Sequence, residues 1–293
     1  MSPLNRRQFF SKTAIAFGAL SAAARRNAGL LAEPLGLPIG LELYTVRNEC
    51  EKDLEGTVKK VAEIGYKEVE MYSFYKRKPS ELRSLLSSNG LVCPSAHYET
   101  PALKSGLGKE IDFAKEFGLS YMICAFLQPG ERKSLDDYRG LADLFNKVGE
   151  LCQRASIQFA YHNHNFEFKT FDGVSAYDEL LRRTDPKLVQ LELDCYWITR
   201  AGKDPLDYFK QYPGRFPLWH IKDRKPGYAP ATDMDQGPGP FTEVGRGSID
   251  WPKIFSGARE AGVKHYYVEQ DFCERPPLES AKISYDYLKG LKA

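Results

Sequence analysis

No region of this chain carries an excess of one charge. Its 293 residues sum to a formal +2, with Lys and Arg spread along the length, so electrostatics give no case for nucleic acid or a membrane surface as partner. None of the six cysteines forms a CxxC pair. Cys93, Cys124 and Cys195 fall within or at the ends of apolar runs, which favours buried free thiols over disulfides. A Gly-rich phosphate turn is also missing: Tyr44-Thr45-Val46-Arg47 follows the first strand-like run, which argues against a doubly wound nucleotide-binding sheet.

The first 36 residues read differently from the rest. Asn5-Arg6-Arg7-Gln8-Phe9-Phe10-Ser11-Lys12 precedes a mild apolar stretch, Thr13–Ala24, too short to span a bilayer. Twin arginines, an aromatic pair, a lysine and a weak apolar region resemble a twin-arginine (Tat) export signal. Residues 1–36 are therefore expected to be a leader, cleaved after Ala22-Ala23-Ala24 or nearer Ala32. The mature protein would be periplasmic, without a membrane span. A Tat substrate folds in the reducing cytoplasm before export, which again favours thiols.

Residues 37–293 repeat one unit: amphipathic helix, short Gly turn, apolar strand. Gly65, Gly90, Gly118 and Gly262 each sit between a helical pattern and a β-rich run, as left-handed helix ends require. Eight strands are predicted at Ile39–Val46, Tyr66–Tyr72, Leu91–Tyr98, Leu119–Phe126, Ile157–His164, Val189–Asp194, Phe216–Lys222 and Tyr266–Asp271. Each is followed by a helical segment, and the helix after strand six is expected to start at Lys203-Asp204-Pro205. Right-handed crossovers close such a series into a single α/β domain, a (β/α)8 TIM barrel. The long Pro- and Gly-rich connection Asp223–Val244 would lie over the C-terminal mouth as a lid or binding loop.

Four of these strands end in acid–base or metal-binding side chains: FAYHNH, VQLELD, PLWHIK and HYYVEQD. Polar groups in apolar runs are costly to bury without partners, so these are expected to partner one another or a shared cation. Side chains two apart share a strand face, which pairs His162 with His164, Glu192 with Asp194, His220 with Lys222 and Glu269 with Asp271. Mixed imidazole and carboxylate donors suit one divalent ion of Mn, Zn, Co or Fe better than Ca or Mg. His97 with Glu99, and Glu70, are candidate substrate contacts, while Glu167 has the wrong parity unless a bulge intervenes.

These strands, with the later GRGSIDW segment, resemble the xylose isomerase-like (sugar phosphate isomerase/epimerase) superfamily. The resemblance implies a metal held by Asp194, His220 and Glu269, with His162 or else His164 completing the set. It implies His164, Glu269 and Lys222 as catalytic groups, and His97, Glu70 and Trp197 against the substrate. The chain departs from the family where a strand-five Glu is usual and His162 stands instead, and where Trp197 replaces a common His. The implied activity is isomerisation or epimerisation of a carbohydrate through an enediolate. Export favours an unphosphorylated sugar or a keto-glycoside. A metal-dependent keto-glycoside lyase or dehydratase on the same site, and a non-catalytic sugar-binding barrel, remain alternatives. Apurinic endonucleases share the fold, but five histidines and a charge of +2 equip the chain poorly for that role. The oligomeric state stays open, a homo-oligomer included.

Replacing Arg6 and Arg7 together by lysine should hold the precursor in the cytoplasm, read by fractionation and immunoblot. Unchanged periplasmic delivery would overturn the export assignment.

Overall fold

The computed structural model describes residues 34–234 and 238–292. The expected twin-arginine leader lies outside them except for Pro34–Gly36, a short 3-10 turn whose Pro34 carbonyl accepts from the Tyr266 hydroxyl. Among the described residues no helix is long and apolar enough to cross a membrane.

Eight parallel strands close into a barrel: β1 (Ile39–Glu42), β2 (Glu68–Met71), β3 (Val92–Tyr98), β4 (Tyr121–Cys124), β5 (Gln158–His162), β6 (Val189–Asp194), β7 (Leu218–Ile221) and β8 (His265–Val268). Neighbours follow chain order around the ring, and β1 closes it against β8. The (β/α)8 fold expected from the repeat is the one present, but most strands are shorter than the apolar runs suggest. His164, Lys222, Glu269 and Asp271 therefore lie just past strand ends. There the backbone turns into loops and the side chains reach the C-terminal mouth.

Local chemistry sets the boundaries. Asp53 accepts from the Gly56 N–H at 2.9 Å to start the helix Leu54–Ile64, and Ser134 caps the long helix Leu135–Arg154, each satisfying an N–H that the helix leaves free. Gly118 (φ 95°) and Gly262 (φ 82°) end helices in the left-handed region, where a Cβ is disfavoured. After strand six the helix begins at once, at Cys195, because Asp194 Oδ1 accepts from the Trp197 N–H at 2.8 Å. The Asp204-capped helix Pro205–Gln211 is a second one, which corrects the single helix read from Lys203-Asp204-Pro205.

The barrel interior is layered. Tyr121, Ile123, Ala160, Leu218 and Tyr267 form an apolar floor, and Gly40 makes room for it: a Cβ there would meet the Tyr267 ring at 2.3 Å. Polar side chains occupy the layers above. The main core lies between strands and helices, with Leu41, Val69, Met71, Leu191 and Ile221 buried there. The six cysteines are free.

One side chain makes five of the contacts that hold the connection after β7. Buried Asp223 accepts from the backbone N–H of Arg224, Gly245, Gly247 and Ile249 and from Trp251 Nε1, at 2.8–3.2 Å. This organises the GRGSIDW segment, and Gly247 is needed because a Cβ would lie 2.0 Å from Asp223 Oδ1. Asp223→Asn supplies one acceptor oxygen where the carboxylate has two. It should cost about 2–4 kcal/mol through stranded donors, measured as a lowered urea midpoint. A loss under about 0.5 kcal/mol would show that the network is not structural.

Candidate metal centre and active site

Strand register brings the polar residues together before any side chain is considered. Asp194 on β6 pairs with His220 on β7, His162 on β5 with Glu192 on β6, and Glu42 on β1 with Glu70 on β2. Glu269 follows β8 and donates its N–H to the Ile221 carbonyl at 3.1 Å, beside Lys222.

One ligand atom each from His162, Asp194, His220 and Glu269 lies within 4.8 Å of the others, all buried. The donor chemistry fits a divalent ion. His162 Nδ1 lies 3.2 Å from the Ala125 carbonyl, and with its proton there, Nε2 turns a lone pair toward Asp194 Oδ2 at 3.3 Å. Two lone pairs facing each other are relieved by a cation between them, and the outer hydrogen bond is the usual way a ligating imidazole is oriented. His220 Nδ1 and Glu269 Oε2 sit 2.7 Å apart, and the same carboxylate oxygen also meets Lys222 Nζ.

Lys222 stands over this quartet, with Nζ 3.1 Å from Asp194, 2.8 Å from Glu269 and 2.8 Å from Asp271. Burial alone would lower its pKa, but the three carboxylates raise it well above the ordinary lysine value. Glu269 is held well below the usual carboxylate range: burial opposes this, and Lys222 and His220 outweigh it. Burial raises Asp271 to about 6 despite Lys222.

A cavity of about 330 Å³ opens above these groups at the C-terminal mouth, at the lower end of small-molecule sites. His97, His162, His164, Lys222 and Glu269 line it together with Tyr44, Tyr72, Phe126 and Met234. His164 is on the wall but outside the metal quartet. Its ring stacks on Phe166, its Nδ1 has no hydrogen-bond partner, and burial first, then His162 and Lys222, lower its pKa well below the usual imidazole value.

Two expected substrate contacts lie elsewhere. Trp197 is buried in the short helix after β6, beside His164 and 5.8 Å from Lys222 Nζ. It supports the wall from behind, because the Asp194 cap starts the helix immediately. Glu70 is fully buried beneath the cavity, bonded to Ser95 and to His220 Nε2 at 2.9 Å. Its parity points into the barrel, but it lies one layer below Tyr72, the next residue of that parity, which lines the cavity. His97 does line the cavity, and its Nε2 meets Glu70 at 2.8 Å and Glu192 at 3.0 Å. Glu167 lies in the 3-10 turn Phe166–Phe168 beyond the strand, buried and bonded to the Tyr161 hydroxyl and the His164 N–H. Sequence reading passed over Glu42 and left Glu192 as the mere partner of Asp194. A carboxylate within the GLEL and VQLELD runs was the available signal.

The profile described as Xylose isomerase-like TIM barrel matches residues 58–291. An inosose dehydratase of Clostridium tetani is 27% identical over 169 residues, covering 53% of this chain and 54% of that protein. The chain thus spans about half the length of the first curated relatives it matches. An inosose dehydratase of Clostridium beijerinckii is 24% identical over 270 residues, covering 82% and 90%. Among solved structures, a sugar phosphate isomerase/epimerase from Parabacteroides distasonis superposes with TM-score 0.76 at 26% identity, covering 90% and 96%. The zinc-bound IOLI protein superposes with TM-score 0.70 at 14% identity, covering 86% and 98%.

Asp194→Asn keeps an oxygen for the Trp197 cap while removing the ligand charge, and Glu269→Gln removes the charge opposite His220. Each should weaken Zn²⁺ binding at this quartet by about 100-fold or more, since even outer partners of ligands are worth 10–100-fold. Competitive titration against a chelator measures the affinity, and circular dichroism should show an intact barrel. Unchanged affinity in both variants would remove the quartet from consideration.

Proposed function

Because this chain belongs to the xylose isomerase-like TIM-barrel family, we propose that it is a divalent-metal-dependent lyase. It eliminates a β-oxygen substituent from an unphosphorylated keto sugar, keto-cyclitol or keto-glycoside. His162, Asp194, His220 and Glu269 would hold the ion. When bound, it would act as a Lewis acid toward the substrate carbonyl and acidify the adjacent C–H.

The observation that carries this reading is His164, a buried imidazole on the cavity wall beside Lys222, its pKa held well below the usual imidazole value by burial first. A neutral imidazole accepts a proton at ordinary pH. His164 removes the proton from the carbon next to the carbonyl, and the C–H electron pair becomes the new C=C bond as the β C–O bond breaks. The departing oxygen takes the proton back from the imidazolium, so the ring ends neutral and water or an alcohol leaves. Lys222, cationic and fixed by three carboxylates, holds the substrate oxygen on which charge develops.

Elimination stands ahead of the epimerisation first expected because of His162. Proton exchange on two faces of a sugar needs two free bases, and His162 has one nitrogen on the Ala125 carbonyl and the other toward Asp194. The inosose dehydratase relatives support the same choice. We further propose that the enzyme is exported through the twin-arginine route, away from cytoplasmic sugar phosphates.

Protonation of His164 abolishes its role as base, and its pKa lies below the ordinary 6.5. A bound cation would push it in the same direction. The acid limb of kcat/KM should therefore fall below pH 6.5, with a plateau above it. His164→Ala should remove that limb and slow turnover by about 10²–10⁴-fold, and deuterium on the α-carbon should slow the wild type several-fold. An acid limb that persists in His164→Ala would reject His164 as base. Clear preference for a sugar phosphate would reject the substrate class.

A further inference from the structure

Beneath the quartet assigned above lies a second one. Glu70, His97, Glu192 and His220 each present a ligand atom within 4.8 Å of the others. Two of their contacts are aligned hydrogen bonds, His97 to Glu192 at 3.0 Å and His220 to Glu70 at 2.9 Å. The two crossing contacts lack that alignment: His97 Nε2 lies 2.8 Å from Glu70 and His220 Nε2 lies 3.4 Å from Glu192. A tetrahedral ion with bonds of 2.0–2.1 Å sets its ligands about 3.3 Å apart, so an ion here would push three of these four contacts outward by a few tenths of an ångström. Glu192 Oε1 is fully buried and has no hydrogen-bond partner. It faces into this group.

His220 belongs to both quartets through different atoms, Nδ1 toward Asp194 and Glu269 above and Nε2 toward Glu70 and Glu192 below.

We propose that Glu70, His97, Glu192 and His220 form a second divalent-metal site, joined to the upper one by the two nitrogens of His220. This rests on reading the upper quartet as a metal site. The donors are two imidazole nitrogens and two carboxylate oxygens, a set that suits Zn, Mn or Fe. Filling both sites requires His220 to give up its ring proton to solvent and bridge as an imidazolate. The lower ion would then act through His220, by fixing the ring and tuning the basicity of Nδ1, without reaching substrate.

The test is full-chain protein saturated with Zn²⁺, desalted and analysed for zinc per chain, with an anomalous difference map recorded at the zinc edge. Two ions per chain and one peak on either side of the His220 ring are expected. Glu192→Gln and His97→Ala should each fall from two to one and lose the lower peak, while Asp194→Asn should fall to one and lose the upper. A single ion in the wild type, with its peak in the upper quartet, overturns this inference and leaves the proposed function standing. No zinc at all overturns both. Two ions retained in both lower-site variants also overturn it, and if those variants fail to fold, the wild-type map decides alone.

Discussion

The structure depends on keeping several carboxylates in one water-poor chamber. A buried carboxylate is stable only if it is paired, protonated or bound to a cation, and this chamber uses more than one of these solutions. Lys222 spans three acids. Ser95 and two imidazoles hold Glu70. Glu42 is pushed well above the usual carboxylate range, by burial first, so it stays protonated more readily than its neighbours. Parallel strands make the gathering possible, because their C-terminal ends all open onto the same face.

The same constraint explains why the two ends of the barrel differ. Toward the N-terminal side, Tyr267 and its apolar neighbours occupy the interior, and His265 with Glu68 at 2.8 Å lies apart from the chamber. The Tyr267 hydroxyl still touches Ser95 at 2.9 Å, so the apolar layer meets the first polar one through a single hydrogen bond. His265 stands at the start of β8, at the end of the barrel away from the mouth.

Much of this was legible in the sequence because two periodicities carry it. Helix-turn-strand units with Gly at the joints announced the barrel, and alternation along four runs put His162 with His164 and His220 with Lys222 on the cavity side. Depth along the axis was not legible. Whether a side chain lies in the upper or lower layer depends on the stagger of neighbouring strands, which is why Glu70 was expected at the substrate and found below it. Glu192 shares parity with Asp194 but sits one layer deeper, opposite His162. Trp197 was misplaced for a different reason: the cap on Asp194 turns the chain into a helix one residue after the strand, and periodicity says nothing of caps.

Among the described residues, the apolar floor leaves the C-terminal mouth as the chamber's doorway. Whatever enters past Tyr44, Tyr72 and Met234 has to leave the same way, and nothing can be threaded through from behind. Entry and departure are then mutually exclusive events, and a product that lingers is itself an obstruction. A small molecule suits such a blind alley when its reactive end goes in first and its bulk stays near the entrance. The barrel would thus select among compounds by which end they lead with as much as by what that end carries.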